Sequence, residues 1–309
     1  MKILVISSNL IGDSILSTGI IKYFIDLYSK SKITVVIGPA AAQIYENFPN
    51  IEKIIIIKKK KYNLHWLAIW KKCFTIKWDL IIDFRSSAIS YLLLNNKRFI
   101  YKRRSNNKLQ IKQLNDFFKL KTIASPIIFN SISERNIVKE KIFPDKKYLV
   151  IAPGGNWIPK IWPSKNFNKL IKKLSNKYQE DLFIILVGSH IEKQKYKKEV
   201  IGNLNSNKII DIMGATLTQT YAFMKKSSLF IGNDSGLMHL AAASNISTIG
   251  LFGPTNDKLY APFGSNCYII RTEETYEDFQ LLNIKNDECY MQNLDLEKIV
   301  DLIEKKSLI

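Results

Sequence analysis

The sequence lacks any hydrophobic run long enough to cross a bilayer. A spanning helix needs about 20 apolar residues in succession, whereas the isoleucine run at 54–57 leads directly into lysines. The opening residues 1–6 are too few, and polar residues follow them too soon, to form a signal peptide. We therefore expect a cytoplasmic protein.

Cysteine is also scarce, and the three residues Cys73, Cys267 and Cys289 have no spacing typical of zinc ligands. Neither a disulfide framework nor a metal site is expected from an odd, widely spaced set. The G-x-G-x-x-G dinucleotide fingerprint and the G-x-x-x-x-G-K-[ST] P-loop are both missing. The second absence excludes a P-loop phosphotransferase.

Acidic residues are few in the first half of the chain. Residues 1–150 carry 27 Lys and Arg against 10 Asp and Glu, a net of +17, whereas residues 151–309 carry 19 against 17, a net of +2. A composition rich in Lys, Ile and Asn explains a basic chain but not this asymmetry. It favours an anionic partner such as a membrane surface, a phosphorylated substrate or nucleic acid. We expect no nucleic acid, because no helix-turn-helix or RNP signature accompanies the charge.

Short β-branched runs alternate with longer helical patterns, which is typical of βαβ units and parallel sheets. Predicted strands cover 3–7, 33–37, 54–57, 80–82, 98–101, 148–152, 183–187, 209–211, 229–231, 248–252 and 267–270. Predicted helices cover 14–28, 165–177, 192–201, 217–226, 237–243 and 295–306. The polar segment 130–147 has the composition of a linker. We expect an α/β protein with a first domain over 1–145 and a second over 146–309, the last helix being free to return to the first.

The first segment with chemical potential follows the first predicted strand and contains Gly12 and Asp13. Gly12 permits a tight turn, and Asp13 stands at the carboxyl end of a strand beside a helix N-terminus. A carboxylate in that position either caps the helix or takes part in catalysis. The residues alone leave both interpretations open.

The second segment, residues 152–163, contains Gly154 and Lys160 and lies between a strand and a helix. Glycine admits a close backbone approach, and a lysine there supplies a cation for a diphosphate. The alternative is an ordinary surface loop anchored by Trp162 and Pro163.

The third segment, residues 231–243, ends a strand in a polar turn and begins a helix of small residues. The amides of Ser235 and Gly236 would form an anion site at the helix N-terminus. His239 follows one turn later, as a packed residue or as part of the pocket. The turn Gly253-Pro254-Thr255 ends the next strand and should line the same site.

In their order and separations these segments resemble glycosyltransferase family 9, the ADP-heptose:lipopolysaccharide heptosyltransferases. The resemblance extends from Met1 to about Gly264 and is most specific in residues 234–242 and 251–255; the late residues 289–291 add weaker support. It implies a GT-B-type fold of two Rossmann-like domains with parallel sheets facing a central cleft. The implied reaction is inverting, metal-independent transfer of a sugar, foremost heptose from ADP-heptose, onto a lipopolysaccharide or lipooligosaccharide core. No cofactor is implied, since the nucleotide sugar is a substrate.

The resemblance also implies roles for single residues. Asp13 is similar to the family's general base, which would deprotonate the acceptor hydroxyl. Residues implied in donor binding are Lys160, Asp234, Ser235, Gly236, His239, Gly154, Gly188, Gly253, Pro254 and Thr255. Residues implied in acceptor binding are Ser8, Asn9, Gly12 and Arg85.

Two departures from the family pattern keep alternatives open. After the strand at 183–187, an acidic residue that holds the ribose is displaced or absent, because the sequence reads Gly-Ser-His-Ile-Glu over 188–192. A UDP- or GDP-sugar used on another glycan is therefore the alternative, and a basic nucleic-acid-binding protein is a weaker one. Arg85 either contacts an anionic acceptor or pairs with Asp83.

The segment 58–78 is basic and aromatic. Four lysines at 58–61 precede Leu64, Leu67, Trp70 and Phe74, which recur at helical spacing, and 98 and 102–104 add more positive charge. Such a helix suits an anionic membrane surface, and a lipid-linked anionic oligosaccharide acceptor at the inner membrane would explain it. The alternative is that the apolar stripe packs on the core and the lysines are merely solvated.

Overall fold

In the computed structural model the chain is described over residues 1–58, 61–103 and 107–309. The predicted basic positions 59, 60 and 104 lie outside these ranges. The chain forms two compact units, Met1–Phe129 and Asn130–Ile309. Each unit carries one parallel sheet, in the orders β3-β2-β1-β4-β5 and β11-β10-β9-β6-β7-β8, so the predicted α/β class is confirmed.

The first unit is built around a central strand, β1, whose residues after the first are all apolar. Its strands are β1 (Lys2–Ile6), β2 (Lys32–Ile37), β3 (Ile51–Ile56), β4 (Trp78–Asp83) and β5 (Asn95–Ile100), and its helices are α1 (Ile11–Leu27), α2 (Leu64–Cys73) and α3 (Gln110–Phe117). The side chains of Ile3 to Ile6 are fully buried, as expected for a parallel strand covered on both faces. Because Ile6 pairs with Asp83, the segments after β1 and β4 leave the sheet side by side.

The second unit has the strand order of a doubly wound dinucleotide-binding fold. Its strands are β6 (Lys147–Ala152), β7 (Leu182–Leu186), β8 (Ile209–Asp211), β9 (Leu229–Asn233), β10 (Ser247–Phe252) and β11 (Cys267–Arg271). Its helices are α4 (Ile132–Lys141), α5 (Ser164–Tyr178), α6 (His190–Ile201), α7 (Leu217–Met224), α8 (Gly236–Ala243), α9 (Asp257–Tyr260), α10 (Tyr276–Gln280) and α11 (Leu296–Lys306). Phe167 and Leu170 of α5 meet Trp162 and Ile303 in one hydrophobic core.

The predicted linker at 130–147 is wrong for most of its length, because α4 forms there. Ser131 caps this helix together with Glu134 in a capping box. Asn130 Nδ2 donates to the Thr218 carbonyl at 2.6 Å, and Thr218 Oγ1 donates to Glu134. These bonds attach α4 to the start of α7, so the second compact unit begins earlier than the expected boundary between 145 and 146.

The last helix packs within the second unit. Ile299, Val300 and Ile303 of α11 lie in the same core as α5 and the sheet. The predicted helix at 295–306 is confirmed, and its apolar face is accounted for by the core of the second unit.

Candidate functional site

Asp13 lies in the first turn of α1, and the position before the helix is occupied by Leu10. Its carboxylate does not cap the helix in the usual manner, because Leu10 is the N-cap and makes no side-chain cap bond. Arg103 Nη2 donates to Asp13 Oδ1 at 2.8 Å, and Ser8 Oγ donates to Asp13 Oδ2 at 3.4 Å. One carboxylate oxygen is thus engaged by an ion pair and the other by a long hydrogen bond.

A cavity of about 250 Å³ surrounds this carboxylate. Its lining includes Ser8, Asp13 and Arg85, which the sequence predicts, together with Arg103 and Gln110, which it does not. Asn9 is not part of this lining but accepts a hydrogen bond from the Arg85 guanidinium. Gly12 is the residue before Asp13 in α1. Two guanidinium groups against one carboxylate give a cavity suited to an anionic ligand.

Arg85 projects from a turn that is organised by Asp83. The buried Asp83 carboxylate accepts from the backbone N–H of Arg85 at 2.7 Å, from Ser87 N and Oγ at 2.7 and 2.6 Å, and from Ser90 Oγ at 2.5 Å. This turn holds Ser86 at a left-handed φ of 52°. Asp83 therefore shapes the backbone on which Arg85 is carried.

The Arg85 guanidinium points away from this network. It donates to Asn9 Oδ1 at 3.1 Å and lies 5.1 Å from the centre of the Trp66 ring. Burial lowers the pKa of Arg85, and the charge of Asp83 opposes that shift. A partly desolvated cation at a cavity wall gains from an anionic ligand. Of the two predicted alternatives, the hydrogen bond to Asp83 comes from the backbone N–H of Arg85, while its guanidinium lines the cavity.

In the second unit the predicted donor residues converge at one edge of the sheet. β6 lies between β9 and β7, and β10 follows β9, so the carboxyl ends of these four strands are neighbours. The order reverses between β6 and β9, which is where such sheets bind ligands. The loops after these strands carry Gly154, Gly188, 234–236 and 253–255.

Lys160 and Asp234 form a largely buried ion pair at this edge. Lys160 Nζ lies 3.4 Å from Asp234 Oδ2, and the side chains are 12% and 9% exposed. A bond of this length leaves ammonium hydrogens available. The pair therefore offers a cation, already desolvated, to an incoming phosphate.

Two hydroxyls at the same edge of the sheet lack a hydrogen-bond partner within the described residues. They are the buried Ser235 Oγ and Thr255 Oγ1. Ser235 is the N-cap of α8, yet its side chain makes no capping bond. Buried hydroxyls are normally satisfied, so both are suited to a ligand oxygen. Gly236 begins α8, and the free amides of a helix start favour an anion.

His239 lies one turn into α8 and is buried. Its backbone N–H donates to the Ser235 carbonyl at 3.5 Å. His239 is therefore tied to the same helix start as Ser235 through its backbone, and its role in the pocket stays a prediction.

Glu192 is an acidic residue close to the position where the sequence leaves the ribose-binding acid displaced or absent. Its Oε2 accepts from the Ser189 backbone N–H at 2.7 Å in a capping box at the start of α6. A Cβ added to Gly154 would lie 2.1 Å from Glu192 Oε1, so glycine at 154 makes room for this carboxylate. The acid is therefore present at the carboxyl ends of β6 and β7, delivered by the helix rather than by the strand.

Asn233 was not predicted as a site residue, and it fixes the loop that carries Lys160. Its buried side chain accepts from Trp162 N at 2.9 Å and donates to the carbonyls of Pro153 and Gly154 at 3.1 and 3.0 Å. Trp162 itself is fully buried, as the alternative of a loop anchored by this residue requires. The loop is thus anchored, and it also presents a cation.

Arg271 organises the turn at 253–255 in a similar way. Its Nη2 donates to the carbonyls of Gly253 and Thr255 at 2.8 and 3.3 Å, and it pairs with Asp257 at 3.3 Å. Nothing in its local sequence pointed to this contact, because the partners are loop carbonyls on another segment of the chain. Pro254 lies within the turn that Arg271 holds.

The described part of the chain contains no group of three or more His, Cys, Asp or Glu placed to hold a metal ion. Among these residues there is also no helix with both the length and the apolar character to cross a bilayer.

Comparison with known proteins places these features in one family. A family model described as glycosyltransferase family 9 (heptosyltransferase) matches residues 100–287. Lipopolysaccharide heptosyltransferase 1 of Campylobacter coli is 26% identical over 342 aligned residues, which cover 99% of this chain and 98% of that protein. A glycosyl transferase family 9 structure from Veillonella parvula matches with a TM-score of 0.78 at 19% identity, covering 98% of this chain and 96% of that one.

The structure of E. coli ADP-heptose lipopolysaccharide heptosyltransferase II matches with a TM-score of 0.71 at 18% identity, covering 99% of this chain and 100% of that one. The likeness to these solved structures confirms the predicted GT-B-type fold class. The roles assigned to single residues stay predictions.

Proposed function

The chain belongs to glycosyltransferase family 9, the heptosyltransferases, and from this we propose that it transfers heptose from ADP-heptose onto the core of a lipopolysaccharide or lipooligosaccharide. The observation that carries the proposal is the buried Lys160–Asp234 pair, together with the unpartnered hydroxyls of Ser235 and Thr255 among the described residues. A cation, two hydroxyls and a helix N-terminus at a strand-order reversal suit a nucleoside diphosphate.

The donor half of the mechanism follows from this set of groups. Lys160, the Ser235 hydroxyl and the first amides of α8 would contact the diphosphate. When the bond between the anomeric carbon and the phosphate oxygen breaks, the leaving nucleotide gains negative charge. Preorganised donors of this kind stabilise such charge. Glu192 would accept hydrogen bonds from the ribose hydroxyls, which every nucleoside diphosphate carries, so it does not select the base.

The acceptor half is assigned to the cavity of the first unit. Asp13 would remove the proton from the acceptor hydroxyl as its oxygen attacks the anomeric carbon from the face opposite the leaving group. This attack inverts the configuration. Arg85 and Arg103 would bind anionic groups of the acceptor. Ser8 and Asn9 hold Asp13 and Arg85 by the hydrogen bonds described above.

The setting of the reaction is part of the same proposal. We place the enzyme in the cytoplasm, in peripheral contact with the inner membrane where a lipid-linked acceptor resides. No cofactor or metal is required, because Lys160 and the helix N-terminus supply the positive potential that a metal provides in other transferases.

The first test is calorimetry of the purified protein against ADP, UDP, GDP and CDP in the presence of a chelator. We expect selective binding of ADP. Selective UDP or GDP binding would retain the mechanism but replace the sugar, and failure to bind any nucleotide would contradict the donor site.

A second test measures the ADP affinity of the Lys160→Gln variant. The control is Lys165→Gln, which changes an exposed lysine in the same way. A hydrogen bond to a charged group contributes about 1.5–3 kcal/mol, so the Lys160 variant should lose roughly ten- to hundredfold in ADP affinity. Equal affinity in the two variants would remove Lys160 from the donor site.

A further inference from the structure

The first unit carries an exposed apolar surface formed by two separate segments. One segment is α2, and the other follows β4 and leads into β5. The residues that define this apolar surface are Leu64, Leu67, Phe74, Tyr91, Leu92 and Leu94. The sequence predicts only the contribution from α2, because β4 lies between the two segments in the chain.

The outward orientation of these side chains is not the result of a missing core. Ile69 and Cys73 of α2 are buried in the hydrophobic cluster beneath, and so are Ile89 and Leu93 of the second segment. The exposed residues of the apolar surface therefore belong to the same two segments but point away from this cluster. The apolar surface is therefore additional to a complete core, and the alternative that the whole stripe packs inward is wrong.

The second segment is the most exposed part of this surface. Tyr91, Leu92 and Leu94 are 64%, 69% and 68% exposed. Trp70 Nε1 donates to the Leu92 carbonyl at 3.2 Å, and Trp70 stacks on Phe74 with 4.6 Å between ring centres. Trp70 thereby joins the two segments into one continuous surface, with indole and phenol groups of the kind that favour a membrane interface.

The stretch of sequence that supplies this surface is strongly basic. Between residues 58 and 98 the sequence has ten Lys and Arg and only two acidic residues, Asp79 and the buried Asp83. Arg98 lies 5.4 Å from the centre of the Tyr91 ring, and α2 carries Lys71 and Lys72 in its last turn. Apolar side chains bordered by cations match a bilayer that carries anionic headgroups.

The surface also connects with the cavity that contains Asp13. Trp66 of α2 lies beneath the Arg85 guanidinium, which lines that cavity. A helix resting on a bilayer would therefore place its first turn beside the residue proposed to bind an anionic acceptor. Acyl chains could remain in the bilayer while the sugar of the same molecule enters the cavity.

We infer that this apolar surface is the site at which the enzyme docks on an anionic bilayer and receives its lipid-linked acceptor directly from it. The choice of a lipid-linked acceptor rests on the proposed function, whereas binding to the bilayer rests on the surface alone.

The test uses the double variant Leu92→Asp with Leu94→Asp. Its control is Leu281→Asp with Leu282→Asp, which alters two exposed leucines of the second unit by the same charge. Both are sedimented with vesicles of phosphatidylcholine alone or mixed with phosphatidylglycerol. We expect binding to the anionic vesicles, reduced by roughly tenfold or more in the first variant and unchanged in the control. A thermal melt confirms that each variant is folded.

Two activity measurements separate this inference from the proposed function. The first variant should transfer sugar normally to a water-soluble acceptor without acyl chains, and slowly to an acceptor embedded in vesicles. Absence of transfer by the unaltered protein would contradict the proposed function but not the docking site. Equal vesicle binding by both variants, or absence of vesicle binding by the unaltered protein, would overturn the inference. A dimer in ultracentrifugation that only the first variant dissociates would overturn it as well, by assigning the surface to a second copy.

Discussion

Single residues at the two candidate sites differ in how freely they can react. Asp13 Oδ1 is engaged by Arg103 at 2.8 Å, whereas Oδ2 receives only the 3.4 Å bond from Ser8 among the hydrogen bonds of the described residues. The second oxygen is therefore the one with a lone pair available for an acceptor proton.

We expect Asp13→Asn to lower kcat by roughly two to four orders of magnitude, the usual contribution of a general base. The amide retains the shape of the side chain but cannot take the proton. ADP affinity, measured by calorimetry, should be unchanged, because the donor set lies in the other unit. Asp26→Asn on the exposed end of α1 is the control, and a similar loss in both variants would point to helix damage rather than to catalysis.

Glu192→Gln should weaken ADP binding by roughly tenfold, since it replaces a charge-assisted acceptor of the ribose hydroxyls with a neutral one. The variant retains an oxygen for the Ser189 N–H, so α6 should keep its cap. Glu199→Gln on the same helix is the control. Binding of 2′,3′-dideoxy-ADP is a more discriminating measurement, because this analogue lacks the ribose hydroxyls. The unaltered protein and the Glu192 variant should bind it equally. A persistent difference with this analogue would exclude ribose contact.

Loops between elements, more than the elements themselves, define the donor site. Asn233 at the end of β9 ties the loop after β6 to the sheet through three hydrogen bonds. Arg271 at the end of β11 does the same for the turn after β10. Each of these two residues bonds to the loop that follows a neighbouring strand. The order of the strands in the sheet therefore determines which loops are held together.

Asn233→Ala should therefore impair both stability and donor binding. It leaves the Trp162 N–H and two carbonyls buried without their partner, and each such group costs about 1–3 kcal/mol. Thermal denaturation should show a lower Tm, and KM for the donor should rise because Lys160 shifts with its loop. Thr248→Val, at a buried position away from this loop, is the control. A lower Tm with an unaltered KM would show that the loop does not need this anchor.

The elements were predictable from the sequence wherever burial made the pattern strong. Strands such as β1 and β9 are continuous apolar runs because both of their faces are covered. Helix α4 was missed because it buries little besides Glu134 and Val138, and so it has no apolar periodicity. Contacts such as Arg103 with Asp13, or Asn233 with Trp162, were beyond prediction because they join residues that only the sheet order brings together.

The charge of the whole molecule is as divided as its fold. The first unit, residues 1–129, carries 22 Lys and Arg against 7 Asp and Glu, a net of +15, whereas the second unit, residues 130–309, carries 24 against 20, a net of +4. The half with the proposed membrane and acceptor surfaces is thus basic, whereas the half with the donor site is nearly neutral. In the proposed donor site, the positive potential that attracts the diphosphate must therefore come from local groups and not from the net charge of the unit.

We expect transfer to proceed without a divalent metal. Addition of EDTA should leave kcat and the ADP affinity within about twofold, since Lys160 and the start of α8 provide the positive potential. Added Mg²⁺ should not rescue the Lys160→Gln variant. Inactivation by the chelator, reversed by one particular metal, would contradict this view of the donor site.

The Lys160–Asp234 pair has a consequence for the end of the catalytic cycle. In the proposed donor site Asp234 already pairs with Lys160 before a ligand arrives, so a bound diphosphate would share the ammonium with a carboxylate that remains in place. After transfer, the spent nucleotide has lost the contacts of its sugar, and the same carboxylate competes for the cation that still holds it. In this proposal Asp234 competes with the product for Lys160, and so opposes the tighter hold that the added negative charge of the leaving nucleotide would otherwise give it.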